Sequence, residues 1–250
     1  MSENRVALVT GANKGIGLQI AKDLAGNGLA VLIGSRKLEN GEAAAQGIGE
    51  RAHAIQLDVT DERSIAAAAE RIRSEFGRLD VLVNNAGIVG EFPAGTPFEE
   101  RLKFNAPSHA PLSYIRSVYE TNVFGVIAVT QAMLPLLRES PAGRIVNVGS
   151  SSGSLTLNAN PQFPYRNIFG AAYSPSKTAL SATTLAFAIE LQNTNIKVNV
   201  VCPGYVATDL NDFRGYRTVE QGAKQAVKMA LIGPDGPTGT FTDEDGTVPW

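Results

Sequence analysis

Residues 6–24 read VALVTGANKGIGLQIAKDL, and this stretch decides the fold class. A short apolar run is followed by a turn that contains Gly11, Gly15 and Gly17, and then by apolar residues at helical spacing. Glycine permits a tight turn and removes side chains where the backbone must approach a ligand closely. The free N–H groups at the start of a helix can then hold a dinucleotide pyrophosphate. The stretch therefore predicts a strand, a phosphate-binding turn and a helix.

Short apolar runs and helical segments alternate along almost the whole chain. The runs are too short for helices and lack the strict alternation of half-exposed strands, so we expect strands that are buried on both faces. Predicted strands cover 5–10, 29–35, 52–60, 79–87, 143–150 and 196–204, and predicted helices cover 16–27, 39–50, 61–76, 116–138 and 174–193. This order predicts an α/β fold: a Rossmann-type doubly wound parallel sheet of about seven strands with helices on both faces.

Three long connections interrupt the alternation, at 88–115, 151–171 and 205–217, and all are rich in proline and aromatic residues. Each follows the carboxyl end of a predicted strand, where open parallel sheets bind their ligands. We therefore expect one domain over 1–250, with these three segments as substrate loops.

The composition is that of an ordinary globular protein, with a net charge of -2 and both signs scattered. It argues against a dedicated nucleic-acid or membrane surface. Cys202 is the single cysteine, so we expect a buried thiol, no intrachain disulfide and a reducing compartment. There is no run of 18 apolar residues and no secretory pattern at the start, which predicts a cytoplasmic location. The two histidines, His53 and His109, are too few to predict a metal site.

The end of the second predicted strand indicates which dinucleotide is bound. A carboxylate there would hold the ribose hydroxyl of NAD. The chain instead has Ser35, Arg36 and Lys37, and Lys14 lies inside the glycine turn. Arg36 and Lys14 suit a 2′-phosphate, which predicts NADP(H), although both could be solvated surface charges.

A serine run, VNVGSSSGS at 146–154, admits two interpretations. It matches GxSxG, which would make Ser151 a hydrolase nucleophile. That reaction needs an acid and then a histidine downstream, whereas both histidines lie upstream.

The segment AYSPSKTAL, at 172–180, places Tyr173 and Lys177 one helical turn apart. Ser174 and Pro175 suit the N-cap and the first residue of a helix. A free phenol has a pKa of about 10, and a sheltered ammonium together with a helix N-terminus could lower it towards about 7. A phenol with such a pKa can protonate the oxygen of a carbonyl that accepts hydride.

The chain resembles the short-chain dehydrogenase/reductase family through TGANKGIG (10–17), NNAG (84–87), Asn122, Ser150, YSPSK (173–177) and PGYVAT (203–208). The first eighty-odd residues, with TGANKGIGL and LDVLVNNAGI, most resemble the carbonyl-reductase branch. The resemblance implies that Tyr173 donates a proton, Lys177 lowers the Tyr173 pKa, Ser150 orients the carbonyl and Asn122 helps to hold a relay water. Ser151 stays a lesser alternative to Ser150, and Asn122 also has a purely structural interpretation.

The same resemblance implies a set of cofactor-binding residues. Asp58 would meet the adenine, Asn85 and Gly87 the adenosine ribose, and Thr208 the nicotinamide carboxamide. The full set is Gly11, Asn13, Lys14, Gly15, Ile16, Gly17, Ser35, Arg36, Asp58, Val59, Asn85, Ala86, Gly87, Tyr173, Lys177, Pro203, Gly204, Val206 and Thr208.

These features predict an NADPH-dependent reductase of ketones or aldehydes. The loop aromatics Phe163, Tyr165, Phe169, Tyr205 and Phe213 suggest an apolar or aromatic substrate, whereas Arg166, Arg214 and Arg217 could recognise an anionic one. Reduction of a 3-oxoacyl thioester and a non-catalytic NADP(H)-binding sensor are the alternatives. The resemblance also implies a homodimer or homotetramer that pairs through 116–138 and 174–193.

Overall fold

A computed structural model describes residues 5–90, 92 and 95–250, and within them the chain forms one eight-stranded sheet. The strand order is β3-β2-β1-β4-β5-β6-β7-β8, and only the last pairing is antiparallel. The strands are β1 Val6–Thr10, β2 Ala30–Ser35, β3 Ala52–Gln56, β4 Val81–Asn84, β5 Arg144–Val148, β6 Lys197–Val201, β7 Phe241–Asp243 and β8 Gly246–Thr247. The strand order reverses between β1 and β4, and a ligand crevice is expected there, at the carboxyl ends.

Nine α-helices accompany the sheet in the described residues. They are α1 Gly15–Gly26, α2 Leu38–Ile48, α3 Glu62–Phe76, α4 Phe98–Phe104, α5 Leu112–Tyr119, α6 Gly125–Arg138, α7 Leu155–Ala159, α8 Tyr173–Glu190 and α9 Val219–Ala230. The sequence analysis did not predict α4, α7, α9, β7 or β8. The predicted strands at 52–60 and 79–87 are also shorter, because their last residues leave the sheet to form the ligand-facing turns.

Both faces of the sheet are covered, as predicted. In β1, Leu8 packs with α3, α6 and α8 on one face, and Val9 packs with α1, α2 and α9 on the other. Successive residues of a strand point to opposite faces, so a strand buried on both sides must be apolar throughout. All five residues of β1 are accordingly buried. This is the physical origin of the continuous apolar runs in the sequence.

The predicted helix 116–138 begins earlier, at Leu112, and is helical through to Arg138 with a π-helical turn at Glu120–Phe124. By length and composition, Leu112–Arg138 could cross a membrane, yet half of its most apolar window is buried inside the protein. Core helices of globular proteins have the same composition when they are buried on most sides.

The start of α8 differs from the prediction. The helix begins at Tyr173 with Ala172 as its N-cap, so Ser174 is not the cap and Pro175 is the third helical residue. The first helical hydrogen bond runs from the Ser176 N–H to the Ala172 carbonyl at 2.9 Å. Proline is tolerated throughout the first turn, because the N–H groups there have no helical acceptor.

Candidate active site

The glycine turn, residues 11–17, connects β1 to α1 at the crevice. Gly11 and Gly15 have φ of +62° and +58°, a conformation that residues with a Cβ rarely adopt. A Cβ on Gly17 would lie 2.3 Å from Asn85 Nδ2 and 2.6 Å from the Gly11 carbonyl oxygen. The three glycines therefore expose the backbone of the turn at the N-terminus of α1, and this exposed backbone fits the pyrophosphate of a dinucleotide.

Asn85 braces this turn from the end of β4. Its amide group donates to the carbonyl oxygens of Thr10 at 2.9 Å and Gly11 at 3.1 Å. The Thr10 hydroxyl in turn accepts from the backbone N–H groups of Asn85 and Ala86, both at 3.0 Å. The Asn85 side chain thus fixes the shape of the glycine turn, a role that the sequence analysis did not assign, and Thr10 was missed altogether.

The predicted adenine and phosphate residues lie at the ends of β2 and β3. Ser35 is buried, whereas Arg36 is exposed. Within the described part of the chain no hydrogen bond or ion pair involves the Arg36 guanidinium. The Asp58 Oδ1 atom accepts from the Thr60 N–H at 2.9 Å and from its hydroxyl at 2.7 Å. The Asp58 side chain therefore also stabilises the turn that follows β3.

Lys14 is not the free cation that the sequence analysis predicts. Its ammonium forms an ion pair with Asp209, which follows Thr208 in the 205–217 loop. Asp209 attracted no attention in the sequence, because the two residues are 195 positions apart. Thr208 lies beside the glycine turn, and a Cβ on Gly15 would be 3.6 Å from its methyl group.

Ser150, Tyr173 and Lys177 come together at the carboxyl end of β5. The Ser150 side chain lies close enough to the Tyr173 phenol to lower its pKa, and Ser150 Oγ lies 2.9 Å from Ser152 Oγ. The backbone N–H of Ser151, by contrast, points to Cys202 Sγ at 3.2 Å. The geometry therefore favours Ser150 over Ser151 as the partner of Tyr173.

Lys177 is buried beneath the tyrosine. Its Nζ donates to the Val148 carbonyl oxygen at 2.8 Å and lies 5.7 Å from the centroid of the Tyr173 ring. A Cβ on Gly87 would lie 3.4 Å from the same Nζ, and a Cβ on Gly153 would lie 2.8 Å from Lys177 Cβ. Glycine at these two positions lets α8 and its lysine approach the ends of β4 and β5.

Burial dominates the titration of this pair, contrary to the predicted low pKa of the phenol. Burial raises the pKa of Tyr173 to about 12, with a smaller contribution from Cys202 in the same direction, and the nearby Ser150 side chain only partly opposes the shift. Burial likewise lowers the pKa of Lys177 to about 8. Burial shifts both titrations towards the neutral form, because desolvation costs more than the surrounding dipoles return, but a pKa of about 8 leaves Lys177 mainly charged at pH 7.

Asn122 lies in the π-helical turn and is fully buried. Its Oδ1 accepts from the Ile88 N–H at 2.8 Å, and its Nδ2 donates to the Ile88 carbonyl at 2.9 Å and to Ser176 Oγ at 3.0 Å. Ser176 then donates to the Tyr173 carbonyl at 2.6 Å. The side chain therefore joins the loop after β4 to the start of α8, which agrees with its structural interpretation.

Aromatic residues from two of the predicted loops meet each other. Tyr165 lies between Phe163 and Tyr205, at ring-centroid distances of 5.7 and 6.1 Å. The Tyr216 ring centroid lies 6.2 Å from that of Tyr205, and the Tyr216 side chain raises the pKa of the Tyr165 phenol. Phe213 is instead 65% exposed. The 151–171 and 205–217 loops are thus joined by an aromatic cluster, here defined as Phe163, Tyr165, Tyr205 and Tyr216.

Phe169 and Phe163 both line an open cavity of about 750 Å³, whose lining residues all lie within 155–169. The same loop holds Arg166, whose Nε donates to the Asn158 carbonyl at 3.0 Å. Arg217 forms an ion pair with Glu244, so Arg166 and Arg217 are both engaged within the protein. No cluster of three His, Cys, Asp or Glu residues suited to a metal occurs in the ranges that the structure describes.

A glycine turn at the strand-order reversal, with a serine at the end of β5 and a tyrosine and a lysine at the start of α8, defines the class as dinucleotide-binding oxidoreductases. The family model for short chain dehydrogenase matches residues 5–217. Salutaridine reductase of Papaver somniferum is 35% identical over 97% of this chain and 95% of that protein. Carbonyl reductase [NADPH] 1 of Sus scrofa is 32% identical over 100% and 95%. The solved structure of the salutaridine reductase superposes with a TM-score of 0.81 over 96% of this chain.

The chain belongs to the short-chain dehydrogenase family. The two relatives named above are reductases, and the protein is an oxidoreductase of this family with a fold that binds a nicotinamide cofactor.

Proposed function

We propose that the protein is an NADPH-dependent carbonyl reductase that converts ketones or aldehydes to alcohols. The observation that carries the proposal is the contact between Ser150 and Tyr173, with the Lys177 ammonium directly beneath, next to a glycine turn that fits a dinucleotide. Two hydroxyl donors and a buried cation are what a carbonyl oxygen needs as negative charge develops on it.

Charge at the end of β2 supports the phosphate-bearing cofactor. Arg36 stands where NAD-dependent enzymes carry a carboxylate, and Asp58, the acid at the end of β3, is engaged with Thr60. The porcine relative is named for NADPH. Arg36 and Lys14 would hold the 2′-phosphate, and the glycine turn would hold the pyrophosphate.

When bound, the reduced nicotinamide supplies the hydride that a carbonyl carbon accepts. The chain itself handles the oxygen and the proton. Ser150 and Tyr173 would donate hydrogen bonds to the carbonyl oxygen, and the Tyr173 phenol would then give up its proton to it. A Tyr173 pKa raised to about 12 keeps the phenol protonated at neutral pH, which suits a proton donor. The Lys177 ammonium would stabilise the phenolate that results.

We propose an apolar or aromatic substrate, because the aromatic cluster links the two loops nearest the reacting residues. The engagement of Arg166 and Arg217 weakens the case for an anionic one. The test is NADPH oxidation against a panel of aromatic ketones, aliphatic ketones, aldehydes and 3-oxoacyl thioesters, with NADH in parallel. Turnover of thioesters alone would redirect the proposal. Tight NADPH binding without turnover of any member would favour the sensor.

We further propose that the protein acts in the cytoplasm as a homodimer or homotetramer. Leu185 and Ile189 lie one turn apart on α8 and are 38% and 57% exposed, which suits burial against a second copy. Light scattering would measure the mass in solution, and a monomer at micromolar concentration would contradict the proposal.

A further inference from the structure

One ion pair connects the glycine turn to the 205–217 loop. Lys14 lies in the turn just before α1, and Asp209 begins the short 3₁₀ helix Asp209–Asn211. Both side chains are at least half exposed, at 66% and 50%. The backbone segments are also close, because a Cβ on Gly15 would be in van der Waals contact with Thr208.

The same turn is bonded to the end of β2. The Ala12 N–H donates to the Gly34 carbonyl at 3.0 Å, and Thr10 pairs with Gly34 in the parallel register. Arg36 follows two residues later. Lys14 therefore lies in a turn that is bonded to the strand leading to Arg36, and its ammonium contacts the Asp209 carboxylate.

We infer that Asp209 is a specificity-determining residue for the nucleotide, an internal competitor that a 2′-phosphate must displace from Lys14. The inference rests on the proposed function. A phosphate monoester carries about 1.5 to 2 negative charges near neutral pH, whereas the carboxylate carries one, so the phosphate would displace Asp209 from Lys14. Because this displacement costs the Lys14–Asp209 ion pair, the nucleotide would bind more weakly than if residue 209 were neutral. A nucleotide without that phosphate has no such competition. The displacement also breaks the Lys14–Asp209 ion pair, which links the glycine turn to the 205–217 loop.

The chain offers a matched control for the charge. Asp212 lies three residues further along the same loop, but its carboxylate pairs with Arg101 at 3.0 Å and not with the glycine turn. Asp212→Asn removes an equal charge from the same loop and leaves the Lys14 pair in place.

The experiment measures dissociation constants of NADPH and NADH by titration calorimetry for the unaltered protein, Asp209→Asn, Asp212→Asn, Lys14→Met and the Lys14→Met/Asp209→Asn double variant. At low ionic strength, Asp209→Asn is expected to tighten NADPH binding about three- to fivefold, the size of an exposed ion-pair effect, and to leave NADH unchanged. Added salt should shrink the gain, because both charges are exposed. The Lys14→Met background should abolish it.

Equal tightening for NADH, an equal gain from Asp212→Asn, or a gain that persists without Lys14 would overturn the inference. So would NADPH binding that Asp209→Asn does not change. If the unaltered protein binds neither nucleotide, the proposed function fails and the inference fails with it. Thermal unfolding checks each variant, and Asp209→Ser is the second substitution if Asp209→Asn lowers the midpoint.

Discussion

The buried position of Lys177 disfavours the charged form of its side chain. Its side chain is almost fully buried, and the Val148 carbonyl at 2.8 Å is its only hydrogen-bond partner within the described residues. Burial lowers its pKa to about 8, so a charged lysine at neutral pH lowers the free energy of unfolding. Catalytic residues often reduce the stability of the fold in this way, because a charge interacts strongly with its surroundings only when it is shielded from water.

Replacing this lysine should therefore stabilise the protein while removing its activity. At pH 7 we expect Lys177→Met to raise the free energy of unfolding by up to about 3 kcal/mol, the equivalent of lowering the pKa from 10.5 to about 8. In the unaltered protein the unfolded chain binds more protons between those two values, so its stability should rise with pH from about 8 to 10.5. Above that range the advantage of the variant should disappear.

Urea unfolding at pH 7, 9 and 10.5 measures the effect. Lys37→Met is the control, because Lys37 is exposed and its removal should change little. A Lys177→Met protein that is less stable than the unaltered one at pH 7 would show that the ammonium is a net stabilising group.

Tyr173 and Ser150 should differ from their neighbours in kinetics. We expect Tyr173→Phe to lower kcat by about a hundredfold or more, since it removes the proton donor, while the Kd for NADPH stays the same. Ser150→Ala should lower kcat/KM, whereas Ser151→Ala should not, because only the backbone of Ser151 takes part in the hydrogen bonds found at the site. Steady-state rates and nucleotide titrations measure these effects for all three variants. Normal turnover by Tyr173→Phe would remove Tyr173 from the mechanism.

At the scale of elements, the β1 to α1 connection depends on two contacts that no local pattern shows. Gly17 touches Asn85 from the end of β4, and Asn85 holds the carbonyl groups of Thr10 and Gly11. The turn, the helix and a distant strand are therefore one unit. The start of α8 is likewise held by a residue distant in sequence. Asn122 donates to the Ser176 hydroxyl, and Ser176 donates to the Tyr173 carbonyl.

Two glycines in α1 should therefore respond in opposite ways to alanine. Gly17→Ala would place a Cβ 2.3 Å from Asn85 Nδ2, so we expect a loss of about 1–3 kcal/mol and weaker nucleotide binding. Gly26→Ala meets nothing within 4 Å, so we expect no loss or a gain of up to about 1 kcal/mol. Thermal and urea unfolding measure both variants, and equal effects would contradict the contact between Gly17 and Asn85.

At the scale of the whole molecule, the topology gathers residues from the entire chain at one edge of the sheet. β1, β4 and β5 are neighbours in space, and their carboxyl ends carry the glycine turn, Asn85 and Ser150. A buried amide network binds the same strands to the helices behind them. Asn84 Nδ2 donates to Asn147 Oδ1 at 2.8 Å, and Asn147 Nδ2 donates to Thr184 Oγ1 at 2.8 Å.

This network should contribute to global stability. Asn147→Ala removes one hydrogen-bond partner from each of the buried Asn84 and Thr184 side chains, and we expect a loss of about 2–3 kcal/mol in the free energy of unfolding. Asn193→Ala, at an exposed position, is the control and should change little. Urea denaturation with far-UV circular dichroism measures both, and equal stability of the two variants would contradict the network's role.

The sequence by itself determined the doubly wound class, the glycine turn and the candidates Ser150, Tyr173 and Lys177. All but Ser150 depend on a local signal: apolar runs that mark doubly buried strands, glycines at a turn, or two residues one helical turn apart. Ser150 was a candidate because of the family resemblance. Tertiary structure decided that Ser150 rather than Ser151 faces the phenol, that Asn85 braces the glycine turn and that Lys14 meets Asp209. It also decided the pKa directions of Tyr173 and Lys177. These features arise from burial and from contacts between residues far apart in the chain, and neither is visible until the strands are side by side.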